Sequence, residues 1–249
     1  MPRLTNPRLT NRVRAAAFDL DGTLIDTMGD LSAAVNLMLG MLGARELPEP
    51  RVRQLVGNGV DQLVLRALTE SLGKVPSHTA QRSAALALFR RLYGQGLFKR
   101  SEVYPGVIEG LRSLADAGIS LCCITNKDSV FAEPLLQQAQ LTEFFAFTLC
   151  ADRAEDRKPS PNMLLAACSR LGIAPAEMLY VGDSTMDIAA ARAAGCPVVA
   201  VSYGYGKEHA DAKIEPDGFV DKLTELVTLY LQPPGERPYL KLYTTGADR

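Results

Sequence analysis

Residues 15–25 read AAAFDLDGTLI. The four apolar residues 15–18 have the length and character of a short buried strand. The strand gives way at once to Asp19 and Asp21, followed by Gly22 and Thr23. Two carboxylates two apart at one strand end repel each other, and burial makes an ionised carboxylate costly. Such a pair needs a cation held against it, or a proton on one member. Where the rest of the chain supplies that charge decides both fold and chemistry.

Three further apolar runs, at 119–124, 178–181 and 197–201, match the first in length. Helical patterns of roughly 10–15 residues separate the later ones, which is the signature of parallel strands with crossover helices. The expected fold class is therefore α/β, a doubly wound parallel sheet with a Rossmann-like core covered on both faces. One gap breaks the rhythm. Between Asp26 and about Lys99 the sequence offers no convincing strand. Apolar residues there recur at three and four: Leu31, Val35, Met38, Leu39, Leu42, then Leu63, Val64, Ala67, Leu68, Leu72. The expectation is a helical insert after the first strand. The chain then divides into an extension at 1–14, an α/β core from 15–26 and 100–232, the insert at 27–99, and a surface tail at 233–249. Ser160-Pro161 is expected to open one helix that Gly172 closes; Asp183 or Ser184 is expected to cap another that Gly195 ends.

Composition narrows the class further. The chain has 249 residues, 47% of them hydrophobic and 22% charged, with a formal net charge of −1. That balance argues against a general nucleic-acid or membrane-surface binder, and no apolar run nears the roughly 18 residues that span a bilayer. Five cysteines, Cys122, Cys123, Cys150, Cys168 and Cys196, form no C-x-x-C pair. They read as buried free thiols in a reducing, cytoplasmic setting. Residues 1–14 carry four arginines and no acid, repeat PRLTN in tandem, and contain no apolar segment of the kind a secretory signal needs. Pro233 and Pro234 are expected to end a final helix.

In a parallel α/β sheet, ligands bind where the strands end at their carboxyl side. The first strand ends in Asp19 and Asp21. The second run ends in Thr125-Asn126-Lys127. Lys158-Pro159 opens a helix after a polar loop, and the run MLYVG ends in Asp183, with Asp187 four further on. Spaced four apart, Asp183 and Asp187 are expected to share one face of a helix start. Carboxylates on one rim suit a hard cation such as Mg²⁺, which takes oxygen ligands together with water and phosphate. Thr125 and nearby N–H groups would hold phosphate oxygens, and Lys158 would balance the remaining charge. Asp19 then serves as an ionised nucleophile, and Asp21 as the acid and base. Gly22 permits the tight exit, and Thr23 is expected to bond locally within the turn.

The motifs DLDGTLIDT (19–27), ITNK (124–127), KPSP (158–161) and VGDSTMD (181–187) resemble those of the haloacid dehalogenase-like hydrolase superfamily. The resemblance implies a nucleophilic Asp19, an acid/base Asp21, and a Mg²⁺ site from Asp19, the Asp21 carbonyl, Asp183 and Asp187. It implies phosphate handling by Thr125, Asn126 and Lys158, and a helical cap at 27–99. An acid two residues after the nucleophile separates phosphatases and mutases from dehalogenases and ion pumps. YPGV (104–107), VGNG (56–59), AAGCPVVAVSYGYG (193–206) and PDGFVDKLTEL (216–226) are most similar to bacterial phosphoglycolate phosphatases, which would put Gly57, Asn58 and Gly59 near the substrate. The partner implied is a small phosphomonoester, with a homodimer left open as the assembly. Phosphatases acting on sugar phosphates, sugar-acid phosphates or pyrophosphate share much of this pattern, as does a mutase. A phospho-acceptor regulator is the non-enzymatic alternative. A small anionic substrate needs a cation for its carboxylate, and Arg53, Arg66 and Lys74 lie in the insert, though each reads first as a solvated surface charge; His78 and His209 read as isolated residues without ligand partners.

Overall fold

The structure, a computed structural model, describes residues 13–56, 59–73, 79–206 and 215–228. Residues 1–12 of the extension expected at 1–14, the tail expected at 233–249, Gly57, Asn58, Lys74, His78 and His209 lie outside them; Val13 is buried and Arg14 N–H donates to the Glu177 carbonyl at 2.9 Å, so these two belong to the core. Six parallel strands form one sheet: β1 (Ala15–Phe18), β4 (Ser120–Thr125), β5 (Phe147–Cys150), β6 (Met178–Gly182), β7 (Val198–Val201) and β8 (Gly218–Val220). Their spatial order is β5-β4-β1-β6-β7-β8. The chain winds from β1 to one side through β4 and β5, then returns to its other side through β6, so the order reverses at β1. This is the doubly wound α/β fold, and the reversal opens a crevice at the carboxyl ends of β1, β4 and β6.

Alternation along the strands assigns the two faces. Phe18, Cys123, Val181 and Val199 point to one core; Ala17, Cys122, Tyr180 and Val198 point to the other. Helices α5 (Val107–Asp116) and α6 (Ser129–Gln138) cover the first face, while α7 (Asn162–Leu171) and α8 (Thr185–Ala194) cover the second. A slip of one residue in β1 would exchange its two faces at once, so burial on both sides pins the register with Leu121 and Leu179 beside Ala16.

Two strands of this sheet escape the sequence reading. β5 (FTLC) is only partly buried and β8 (GFV) has three residues; both are edge strands, with too little apolar run to stand out. One helix start also differs, and the other resolves a choice between two caps. Pro161 occupies the N-cap of α7, with Asn162 as its first residue, one position later than expected. Ser184, not Asp183, caps α8, where Ser184 and Asp187 form a capping box. Asp183 therefore precedes the helix and does not share a helical face with Asp187. Gly172 and Gly195 end their helices in the left-handed conformation, as expected.

Among the described residues, four helices lie between the first strand and the rest of the sheet: α1 (Met28–Met41), α2 (Glu49–Leu55), α3 (Val60–Leu72) and α4 (Thr79–Gly96). Leu31, Val35, Met38 and Leu39 are buried, as are Leu63, Val64, Ala67 and Leu68; Leu42, just past the end of α1, is exposed. The chain leaves and re-enters the sheet through a short antiparallel pair, β2 (Ile25–Asp26) with β3 (Glu102–Val103). Asp30 ties the two crossings together. Its carboxylate accepts from Arg100 N–H at 2.8 Å and from the Ser101 hydroxyl at 2.5 Å. Among the described residues no helix is long and apolar enough to cross a membrane. All five cysteines are free thiols, and four of them are buried.

Candidate active site

The strand ends deliver Asp19, Asp21, Thr125, Asn126, Lys127, Lys158 and Asp183 to one cavity of about 650 Å³, inside the usual range of about 300–1,000 Å³ for small-molecule sites. Its floor is charged. Its opposite wall comes from the helical insert, which contributes Leu31, Pro50, Arg53, Gln54, Val56, Gly59, Val60, Leu63 and Arg66.

The charge that the DLDG stretch demands comes from two lysines, one for each aspartate. Lys158 Nζ lies 2.8 Å from Asp19 Oδ1 and 2.6 Å from Asp187 Oδ1. It also donates to Tyr180 Oη at 2.9 Å and to the Ile124 carbonyl at 3.2 Å. Lys127 Nζ lies 2.8 and 3.0 Å from the two oxygens of Asp21, and its other side meets the ring of Tyr93 from α4 at 4.8 Å. Burial pulls both ammonium groups down, but the carboxylates beside them more than reverse this and hold both well above the usual range. Thr27 Oγ1 donates to Asp21 Oδ1 at 2.6 Å. Neighbouring carboxylates are thus given separate partners and separate directions.

Gly22 makes the exit from β1 possible. Its φ is +84°, and a Cβ there would run into the Asp183 carboxylate. Thr23 bonds within the turn only through its N–H, which donates to the Leu20 carbonyl at 3.3 Å; its hydroxyl is buried with no partner among the described residues, contrary to expectation. The turn is held instead by Leu20, whose carbonyl accepts from Leu24 N–H at 3.0 Å, and by Tyr203, whose hydroxyl donates to the Thr23 carbonyl at 2.8 Å.

Asp183 is almost fully buried, and its Oδ2 accepts from the N–H groups of Tyr205 (2.6 Å) and Gly206 (3.2 Å). Burial, then the charges of Asp187 and Asp19, push its carboxyl well above the ordinary range, against the pull of those two N–H groups. Burial likewise drives Asp19 up to about 7; Lys158 opposes the rise, and Asp187 adds to it. Carboxylates raised in this way by burial and mutual repulsion are short of a cation. One oxygen each from Asp19, Asp183 and Asp187 lies within 4.8 Å of the others. The three are not equivalent. Asp187 has Lys158 and Tyr180 on one oxygen and the N–H and hydroxyl of Ser184 on the other. Burial would raise Asp187, but Lys158 and Ser184 win and leave it below the usual range. Its oxygens are saturated, whereas among the described residues no hydrogen bond reaches Asp183 Oδ1 or Asp19 Oδ2. The donor set fits a hard divalent ion held by Asp19 and Asp183, with Asp187 standing behind to fix Lys158.

Asn126 lines the cavity and also has a structural task. Its Oδ1 accepts from Lys158 N–H at 2.8 Å, and its Nδ2 donates to the Lys158 carbonyl at 3.1 Å. The side chain clamps the Lys158 loop to the end of β4. Thr125 is buried at the cavity edge, its Oγ1 accepting from Lys127 N–H at 3.2 Å. Arg53 and Arg66, read as surface charges, line the cavity wall.

Sequence reasoning passed over Lys127 and Tyr205. Lys127 had a usable signal, since a lysine directly after a strand end beside an acidic pair is a natural counter-charge. Tyr205 had none. It lies far along the chain, yet its hydroxyl donates to Asp26 Oδ1 at 2.9 Å and accepts from Thr27 N–H at 2.5 Å, while its ring lies 5.0 Å from the Arg53 guanidinium.

The sequence profile of haloacid dehalogenase-like hydrolases matches residues 16–201. The chain is 42% identical over 217 residues to a phosphoglycolate phosphatase from Nitrosospira multiformis, covering 87% of this chain and 95% of that one. It is 36% identical over 239 residues to the phosphoglycolate phosphatase of Escherichia coli K12, covering 90% and 95%. The crystal structure of a predicted phosphoglycolate phosphatase from Haemophilus somnus 129pt superposes with a TM-score of 0.81 at 31% identity, covering 87% of this chain and 97% of that one. With its core motifs gathered around a single cavity, the chain belongs to the haloacid dehalogenase-like hydrolase family.

Proposed function

We propose that this chain is a Mg²⁺-dependent phosphatase that hydrolyses a small phosphomonoester, 2-phosphoglycolate foremost, through a phosphoryl group carried on Asp19. The observation that carries this reading is the division of labour in DLDG. Asp19 faces the cavity floor beside Lys158 and Asp183, while Asp21, two residues on, is turned to Lys127 and Thr27. The names of the relatives supply the substrate.

In the first step an Asp19 oxygen attacks phosphorus, the bond from phosphorus to the ester oxygen breaks, and Asp21 delivers a proton to the departing alkoxide. In the second, Asp21 takes a proton from a water molecule that attacks the phosphorus, the acyl-phosphate bond breaks, and Asp19 is released with inorganic phosphate. Lys158 favours the ionised form of Asp19 against the effect of burial and offers charge to the phosphate oxygens; Thr125 offers its hydroxyl to the same group. Asp19, the main-chain carbonyl of Asp21 and Asp183 would hold Mg²⁺, with Asp187 in support. When bound, the ion would neutralise the charge that builds up between nucleophile and phosphate. Residues 27–99 act as the cap, and the paired crossings at β2 and β3 as its hinge. The substrate is a soluble metabolite of the cytoplasm.

The test is a panel of phosphomonoesters with Mg²⁺, scored by free phosphate and kcat/KM. The reading expects phosphate from 2-phosphoglycolate ahead of sugar phosphates and pyrophosphate. An isomerised product without free phosphate would make the chain a mutase, and a phosphorylated protein stable for minutes would make it a regulator.

A further inference from the structure

The helical wall of the cavity carries two guanidinium groups and no acid. The two differ in how they are held. Arg53 lies 3.7 Å from Glu49 and packs against the Tyr205 ring, so it is already partnered. Arg66 sits on α3, three and six residues beyond Leu63 and Val60, and all three line the cavity. It is half-buried, and among the described residues no carboxylate or ring pairs with it. A guanidinium drawn partly out of water, against apolar neighbours and without a counter-charge, is in an unfavourable state that an anion in the cavity would relieve. The phosphoryl group cannot be that anion, because it belongs at the opposite, lysine-bearing floor.

We infer that Arg66 is the specificity-determining residue of the cavity, binding a second anionic group, a carboxylate, at the far end of a short phosphomonoester. This deepens the phosphatase reading and rests on it. The wall then selects by charge. A carboxylate-bearing ester meets Arg66 through a charge-assisted, two-pronged contact. An ester with a neutral tail of the same length leaves Arg66 unpaired. Arg53, held by Glu49 and Tyr205, supplies background positive potential and makes no direct contact.

The experiment compares 2-phosphoglycolate with 2-hydroxyethyl phosphate, which has the same length and no carboxylate, in wild type, Arg66→Ala, Arg66→Lys and Arg53→Ala. The expected result is a fall of about 50-fold in kcat/KM for 2-phosphoglycolate in Arg66→Ala, mainly through KM, with a change below about threefold for 2-hydroxyethyl phosphate. Arg66→Lys should regain part of the loss, and added guanidinium ion should rescue Arg66→Ala with 2-phosphoglycolate alone. Arg53→Ala should lower both substrates by less than about fivefold. Equal losses on both substrates in Arg66→Ala, or no loss on either, would overturn the assignment, because a purely structural Arg66 cannot discriminate between tails. A wild-type enzyme that cleaves both esters equally well would also overturn it while leaving the phosphatase reading intact. Absence of phosphate release from either ester would bring down the phosphatase reading, and this inference with it.

Discussion

The two sides of the cavity are built on opposite rules. On the floor most charged side chains are paired, Lys158 with Asp19 and Asp187, Lys127 with Asp21, Asp187 also with Ser184, while Asp183 is held by two main-chain N–H groups. The wall is mostly apolar and leaves Arg66 without an opposite charge among the described residues. Floor residues come from strand ends, where two-sided burial fixes the backbone; wall residues come from helices that the chain enters and leaves through β2 and β3. The difference teaches where constancy and variation belong. On the proposed reading, geometry that must be right to a fraction of an ångström sits on the sheet, and selectivity would sit on the insert.

The sharpest way to break this division is Asp19→Asn. The account expects turnover to fall by about 10⁴-fold or more, with the circular dichroism spectrum unchanged. A fold that collapses along with activity would mean the floor is a structural network first. Removing divalent ions with EDTA should abolish phosphate release, and restoring Mg²⁺ should recover it. Mg²⁺ at a hundred times its Kd should also raise stability by about 2.7 kcal/mol, read as a shift in Tm. Lys158→Met should damage both rate and fold. It leaves Asp19 and Asp187 buried without their ammonium partner, so urea denaturation should show a loss of about 3–5 kcal/mol. Comparable removal of a wall charge, in Arg66→Ala, should leave the urea midpoint nearly unmoved. Tyr205→Phe probes the seam between the two sides. It deletes the hydroxyl that reaches Asp26 and Thr27, and should lower kcat about 5- to 10-fold through misplacement of Thr27 and Asp21. Asp30→Ala should have the smallest effect on chemistry. It costs about 1–3 kcal/mol in lost hydrogen bonds, and hydrogen exchange should rise first at the Arg100 N–H.

Much of the floor was legible in the sequence because its residues sit at chain positions that physics marks. A buried strand must end, and Asp19, Thr125 and Asp183 appear where three strands do. The doubly wound fold followed from the same runs. What stayed hidden depends on side-chain direction or on partners remote in sequence. Asn126 could be placed at a strand end, but nothing in TNK says that its amide turns back onto the Lys158 backbone. The four-residue spacing of Asp183 and Asp187 suggested a shared helical face, whereas the helix begins between them and Ser184 takes the cap. Tyr205 reaches the first helix across 178 residues, a contact that local pattern cannot carry. In the insert, apolar periodicity found the buried face of α3 but left Arg66 ambiguous, because a charge near the edge of that face can point to water or into a cavity.

The central claim is that Asp19 carries the phosphoryl group while Asp21, held apart by Lys127 and Thr27, moves protons. The most direct test is rapid acid quench of the Asp21→Asn variant during turnover of 2-phosphoglycolate with Mg²⁺, followed by borohydride reduction and peptide mass spectrometry. The account predicts homoserine at position 19, the reduction product of an aspartyl phosphate, and none in the Asp19→Asn background. Homoserine at position 183 or 187 instead, or phosphate release with no acyl phosphate formed at any aspartate, would contradict it.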